Sequence, residues 1–232
     1  MSIVTPRLFA IANLISDGEV VADIGTDHAY LPIYLAKSGH VTKVYATDIA
    51  KKPLQVAKNN IQSFAVSDKV QPVLADGIEW FKEKRIKISS CIIAGMGANT
   101  ILEILKKDHE FIDCYVLAPN TDVEPLRRWV KKNKYYIETE TLVLDNEIIY
   151  EIIKVNKFAG HKVKSKFDLF FGPILSKTKN NALLEQKLYL EEQKIISLLN
   201  QIPKKDKKYK QFMKKKKLIN KLLKKEKTNV KS

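Results

Sequence analysis

The chain has 232 residues, 45% of them hydrophobic and 9% aromatic, with eight Gly, eight Pro and two Cys. That is enough apolar surface for one core plus an appendage, and too little Gly, Pro or Cys for a collagenous, linker-like or disulfide-stapled chain. The net charge of +15 is segregated: residues 1–156 hold 19 Lys+Arg against 20 Asp+Glu, whereas residues 157–232 hold 22 Lys, no Arg and 6 acids. A codon bias would act on both parts, so the segregation points to a polyanionic partner for the second. Cys91 and Cys114 lie in apolar runs, and the expectation is a reduced, cytoplasmic protein without a bridge or a metal. The opening residues lack a basic start, a small-residue cleavage site and a long apolar run, so neither export nor membrane spanning is expected.

Taken in chain order, Thr5 can cap a first helix with Pro6 at its opening position and Leu8, Ile11, Ala12 and Ile15 on one face. Strands are predicted at 20–24, 43–48, 70–75, 89–94 and 113–118, and helices between them at 31–38, 53–64, 78–84, 99–107 and 123–132. Residues 135–144 and 148–155 flank Asp145-Asn146-Glu147 as a β-hairpin. Short β-branched runs alternating with helical patterns predict an α/β domain of seven strands, five in parallel βα units and the last two antiparallel. Residues 158–173 read as a connecting segment. Leu184, Leu188, Ile195, Leu198, Leu199 and Ile202, then Tyr209, Phe212, Met213, Ile219, Leu222 and Leu223, repeat at helical spacing around Pro203, which predicts a coiled-coil-like helical hairpin. The domains expected are residues 1–156 and a basic arm of residues 157–232.

Four predicted strands end in Asp or Gly: Asp23-Ile24-Gly25 with Thr26-Asp27-His28-Ala29-Tyr30 following, Thr47-Asp48-Ile49, Ala75-Asp76-Gly77, and Ala94-Gly95-Met96-Gly97. Open α/β sheets bind nucleotides at the carboxyl ends of their strands, and Asp48, 23 residues after Gly25, stands where a ribose-binding acid is expected. The Gly-x-Gly-x-x-Gly turn of a dinucleotide site is absent, and Asp27 at the helix start would repel a pyrophosphate. A ligand with a sulfonium and an amino group is better suited, and S-adenosylmethionine has both.

The run Val21-Ala22-Asp23-Ile24-Gly25-Thr26-Asp27-His28-Ala29-Tyr30-Leu31-Pro32, the Ile93-Ala94-Gly95-Met96-Gly97 strand end, Pro119-Asn120 after the fifth strand and the C-terminal hairpin resemble the bacterial TrmK family. Those proteins are S-adenosylmethionine-dependent methyltransferases that modify N1 of adenine 22 of tRNA. The resemblance implies a Rossmann-like, seven-stranded class I methyltransferase sheet followed by an α-helical hairpin. It implies a cofactor pocket of Asp23, Gly25, His28, Asp48, Ile49, Asp76, Gly77 and Gly95, with Asp48 on the ribose hydroxyls and Asp76 on the adenine amino group. Asp27, Tyr30 and Asn120 are the catalytic candidates, and His28 and Pro119 would also face the base.

For the tRNA backbone the candidates are Lys204, Lys205, Lys207, Lys208, Lys214, Lys215, Lys216 and Lys217. A monomer with no metal and no membrane contact is expected. The plainer readings remain beside these: Asp27 as a helix cap, Tyr30 as core, Asn120 as a turn residue, and the Lys runs as solvated helix faces. Three functional alternatives stay open: a nicotinamide-dependent oxidoreductase, a methyltransferase acting on another nucleic-acid base, and a non-catalytic RNA-binding protein.

Overall fold

The computed structural model describes residues 4–229, which fall into two compact units, Met1–Val163 and Lys164–Ser232; the first three and last three residues of these spans lie outside the described range. In the first unit, helix α1 (Pro6–Ala12) precedes β1 (Glu19–Ile24), α2 (Tyr30–Ser38), β2 (Val41–Asp48), α3 (Lys51–Ser63), β3 (Val70–Leu74), α4 (Glu79–Glu83), β4 (Ile88–Ala94), α5 (Ala98–Leu105), β5 (Ile112–Ala118) and α6 (Glu124–Lys132). The hairpin β6 (Tyr136–Asp145) and β7 (Ile148–Asn156) completes it.

The strands form one sheet in the order β3-β2-β1-β4-β5-β7-β6, parallel through β5, with β7 antiparallel to both its neighbours. Cys91, Ile92 and Ile93 of β4 are fully buried in succession, as in a parallel strand covered on both faces. Each such isoleucine contributes about 1.5–3 kcal/mol by leaving water. Because β2 lies on one side of β1 and β4 on the other, the connections diverge there and leave a crevice at the carboxyl ends of the strands.

Three local features hold the ends of this sheet. The Thr5 hydroxyl accepts the Leu8 N–H and Pro6 opens α1, as the sequence predicts. The hairpin turns on two residues rather than three: Asn146 and Glu147 are both left-handed, at φ 48° and 64°, the turn whose twist matches the flanking strands. Asp145 is therefore a strand residue, buried, and its Oδ2 accepts the main-chain N–H of Arg7 at 3.3 Å. Arg127 of α6, fully buried, reaches Glu140 of β6 and Glu151 of β7 and ties that helix to the hairpin.

Beyond Asn156 the chain stays with the sheet, since Ile137 and His161 exchange main-chain hydrogen bonds of 2.9 and 2.8 Å. The structural boundary at Val163 thus lies seven residues past the step in charge at residue 156.

The second unit holds α7 (Lys166–Phe171), a short 3-10 turn (Leu175–Lys177), α8 (Ala182–Gln201) and α9 (Lys207–Asn229). The segment read as a packed connector contains a short helix, nucleated by a reciprocal cap between Ser165 and Asp168. Asn181 caps α8 through the Leu184 N–H, and Pro203 falls in the break after it. Leu184, Leu188 and Ile195 of α8 and Ile219 and Leu222 of α9 are buried, the seam of an antiparallel hairpin. Among the described residues no helix is long and apolar enough to cross a membrane, and no group of three His, Cys, Asp or Glu is placed to hold a metal ion.

Candidate active site

A cleft of about 420 Å³ opens at the carboxyl ends of β1, β2 and β4. Asp23, Gly25, Thr26, Asp27, His28 and Tyr30 line it from the turn after β1, Asp48 from β2, and Gly95 from the turn after β4. The turn after β1 is held from below: Gly25 and Thr26 both donate their N–H to the Thr47 carbonyl at 2.9 Å, and the Thr26 hydroxyl donates to Asp23 Oδ2 at 2.8 Å. Burial pushes the Asp23 carboxyl up to about 6; the Thr26 hydrogen bond opposes the rise and the charge of Asp48 adds to it.

Gly25 and Gly95 both sit at positive φ, 76° and 75°, where an L side chain is strained. A Cβ on Gly25 would also fall on the Met96 methyl group, so the turn closes tightly only with glycine.

Asp27 and Ala29 are left-handed at φ 51° and 57°, and this bend turns the Asp27 side chain out while Ala29 is buried. Ala29 is the N-cap of α2 and has no side-chain cap, so Asp27 is not spent as one. His28 Nε2 lies 3.6 Å from Asp27 Oδ2, and its ring stacks on Tyr30 with centroids 5.4 Å apart and planes at 26°. Asn60 anchors the loop by donating to the His28 carbonyl at 2.9 Å. Tyr30 is exposed at the cleft and is not a core residue.

The remaining predicted residues divide. Asp48 Oδ1 accepts the Ala50 N–H at 2.7 Å, and Oδ2 has no hydrogen-bond partner among the described residues. Ile49 beside it is exposed and lies outside the cleft lining. Asp76 and Gly77 stand at the neighbouring end of β3, also outside the lining, with Asp76 exposed 3.9 Å from Lys107 Nζ. Pro119 is buried and does not line the cleft. Asn120 reaches it indirectly: its Nδ2 donates to the Gly95 carbonyl at 2.7 Å and its Oδ1 accepts from Arg7 Nη1 at 2.9 Å.

In the second unit Lys204, Lys205, Lys207, Lys208, Lys214 and Lys217 are exposed and Lys216 is half-buried. Lys215 turns inward, with Nζ 2.7 Å from Glu191 and over the Phe170 ring at 5.7 Å, so it belongs to the interior of the arm. The charge is further concentrated within that unit. α8 carries two lysines against three glutamates, and α9 eleven lysines against one.

Arg7, Leu8, Thr26 and Met96 line the cleft and were not singled out by sequence reasoning. Thr26 was within reach, because a Thr three residues after a strand-end Asp is placed for a local hydrogen bond. Arg7 carries no local signal, since its partner Asn120 is 113 residues away.

A crevice at the switch point of a β3-β2-β1-β4-β5-β7-β6 sheet, with carboxylates at its strand ends and no glycine-rich phosphate turn, defines a Rossmann-like class I methyltransferase. Residues 4–153 match the methyltransferase domain family Methyltransf_18. The TrmK protein of M. capricolum, solved with S-adenosyl-homocysteine, is 34% identical and superimposes with a TM-score of 0.87 over 94% of this chain and 97% of its own. Streptococcus pneumoniae Sp1610, solved with S-adenosyl-L-methionine, is 30% identical, with a TM-score of 0.84 over 95% and 99%. The tRNA (adenine(22)-N(1))-methyltransferase of Bacillus subtilis is 28% identical over 189 residues, 78% of each chain. The chain belongs to the TrmK family of methyltransferases.

Proposed function

We propose that the protein transfers the methyl group of S-adenosylmethionine to N1 of adenine 22 of tRNA, acting as a cytoplasmic monomer whose second unit holds the RNA. The observation that carries this reading is the gathering of Asp23, Gly25, Asp27, His28, Tyr30 and Asp48 around one cleft. The cofactors held by the M. capricolum and S. pneumoniae relatives, and the adenine named for the B. subtilis enzyme, support it.

The residues fit that cofactor. Carboxylates suit its sulfonium and amino groups, Gly25 and Gly95 bring main chain to the cleft without a Cβ, and the uncapped, Asp27-flanked start of α2 disfavours a pyrophosphate. Asp48, with one oxygen unspent, would take the ribose hydroxyls, and Asp76 at the next strand end the adenine amino group. Bound there, the cofactor supplies an activated methyl group on a sulfonium.

The chain's own part is alignment and charge. Adenine N1 has an in-plane lone pair, so holding the base edge toward the cleft in a near-attack geometry accounts for most of the acceleration. The stacked His28–Tyr30 pair offers an aromatic surface for a base turned out of the RNA. Asp27, exposed beside it, would accept a hydrogen bond from the exocyclic amino group and stabilise the cation that develops on the ring. The exposed lysines of α9 and of the break before it would bind phosphates, giving affinity that falls with salt and reads shape more than sequence.

The test is to incubate the protein with S-adenosylmethionine and unmodified tRNA transcripts, digest the RNA and map methylated nucleosides by mass spectrometry. 1-Methyladenosine confined to position 22 is expected. A protein that binds the cofactor yet leaves every adenine of folded tRNA unmodified overturns the substrate, and one that binds no cofactor overturns the enzyme.

A further inference from the structure

The hairpin β6–β7 is longer than the sheet it closes. β7 pairs with β5 from Cys114↔Asn156 to Leu117↔Ile153, whereas its pairing with β6 continues to Asp145↔Ile148. Four residue pairs, Leu142↔Glu151 to Asp145↔Ile148, therefore run past the end of β5, a projection of about 13 Å at about 3.4 Å per residue. Both β5 and β6 are antiparallel to β7, so the projection leaves the sheet at the carboxyl ends of the parallel strands, the end at which the cleft opens.

The projection is tied down on both faces. On one, Asp145 accepts the Arg7 main-chain N–H at 3.3 Å and the Arg7 guanidinium lies 4.5 Å over the Tyr150 ring, and Arg7 itself lines the cleft. On the other, Glu151 meets the buried Arg127 of α6. Glu147 at the turn has φ 64°, a conformation uncommon for a residue other than glycine. Yet the tip held in this way ends in exposed apolar side chains, Leu144 at 45% and Ile148 at 54%. They stand on opposite faces of the ribbon, Ile148 with Asp145 on the side of α1, Leu144 on the other.

Its charge narrows what the tip can meet. From Tyr135 to Ile153 the chain has five acids and no Lys or Arg, in a protein with 41 basic residues. Such a ribbon offers a phosphate nothing. A nucleobase is different, because its faces are apolar and its amino groups donate to a carboxylate such as that of Glu147, exposed at the turn. On the tRNA reading proposed above, N1 of the target adenine reaches the cleft only when the base leaves its stack, and the gap so opened faces the rim of the cleft. Proteins that hold bases apart insert apolar side chains at such a step.

We infer that the β6–β7 tip is the wedge that keeps the target adenine out of the RNA stack, with Ile148 and Leu144 as its apolar sides against the bases that flank the gap. The lysines of the second unit cannot perform this task, since phosphate contacts grip the backbone without separating bases.

The test uses the full chain with S-adenosyl-homocysteine and a tRNA carrying 2-aminopurine, whose fluorescence rises when it unstacks, at position 22. The parent should raise the fluorescence. Leu144→Ser/Ile148→Ser should not, although its affinity for tRNA at equal salt stays within about twofold, because phosphate contacts supply most of it. Its kcat/KM for methylation of unmodified tRNA should fall about 10- to 100-fold, the order of an unstacking cost no longer offset. Leu144→Met/Ile148→Leu should keep both the fluorescence rise and the rate. Both positions are exposed, so thermal melts of these variants should match the parent. A double serine variant with the parental rise and rate overturns the inference, and a change from dimer to monomer in the same variant by light scattering would then make the tip a contact between copies. A variant that loses rate but keeps the rise also overturns it and places the effect of the tip on the cleft. A parent chain that methylates no adenine of tRNA overturns the tRNA reading and the wedge with it, an outcome seen before any variant is compared.

Discussion

Asp23 and Thr26 are joined side chain to side chain across the turn that contains Gly25, and the 2.8 Å bond is buried. Among the described residues it is the contact that favours the ionised form of a carboxyl otherwise raised to about 6 by burial and by Asp48. A carboxyl raised in the fold from its ordinary 3.8 adds to stability most fully below pH 3.8, and that contribution is lost as the pH climbs through 6. At pH 7.5 the loss is of order 3 kcal/mol, taking about 1.4 kcal/mol for each pH unit between the two values. Asp23→Asn is therefore expected to stabilise the cofactor-free protein at pH 7.5 and to change little near pH 4. Urea unfolding at the two pH values checks this; the same difference at both would show that Asp23 ionises as freely in the fold as in the open chain.

Thr26→Ala should act in the opposite sense. Removing a hydrogen bond to a buried carboxylate costs about 1.5–3 kcal/mol while the carboxylate is charged and less once it is protonated. The stability difference between Thr26→Ala and the parent should widen from pH 5 to pH 7.5 in chemical denaturation, and a constant difference would count against the coupling.

Gly25→Ala meets two penalties, a left-handed φ of 76° and a methyl placed on the Met96 side chain. The backbone part costs about 1–2 kcal/mol. The steric part depends on the flexible end of a methionine, so Met96→Ala should recover it in the double variant. Gly95→Ala, at φ 75° with open space around its Cβ, should show the backbone penalty alone. A double-mutant cycle by thermal melting, with zero coupling between positions 25 and 96, would contradict this.

Arg127 is buried with Glu140 and Glu151, and Arg127→Met leaves two acids without their cation. Breaking one side of such a group costs about 3–5 kcal/mol, whereas replacing the whole group with apolar residues of similar volume is near neutral. Denaturant midpoints should accordingly fall sharply for Arg127→Met and recover when Glu140 and Glu151 are replaced by leucine as well.

The lysines of the second unit should separate by position. Neutralising Lys207, Lys208, Lys214 and Lys217, all exposed, is expected to lower the slope of log affinity for tRNA against log salt by about 0.7–0.9 for each phosphate no longer neutralised. Lys215→Gln should leave that slope nearly unchanged and lower the stability of the hairpin instead, because it breaks the pair with Glu191. Fluorescence anisotropy at several salt concentrations distinguishes the two; a fall in slope for Lys215→Gln equal to that of an exposed lysine would overturn the division.

The parallel strands are legible because each is a short apolar run, and four of the five lead into Gly or Asp at their carboxyl ends, signals that are local. Thr5 and Pro6 mark the start of α1 for the same reason. The hairpin turn is one residue shorter than its sequence suggests because Asp145 looks like a turn former, whereas its role comes from a main-chain N–H 138 residues away. Helix α7 escapes a periodicity argument because six residues leave too short a hydrophobic period, although the Ser165–Asp168 cap is present in the sequence.

By itself the sequence determined the alternation of strands and helices, the acids and glycines at the strand ends, and the segregation of lysine into the last third of the chain. Only the tertiary structure decided which of those end residues share a cleft. Asp23, Asp27 and Asp48 do; Asp76 and Pro119 do not, because sheet order and backbone direction place one at the next strand end and turn the other inward. The same holds for Arg7 with Asn120 and for Lys215 with Glu191. Periodicity reports which face of an element is apolar, and a contact between distant elements is fixed only when packing brings them together.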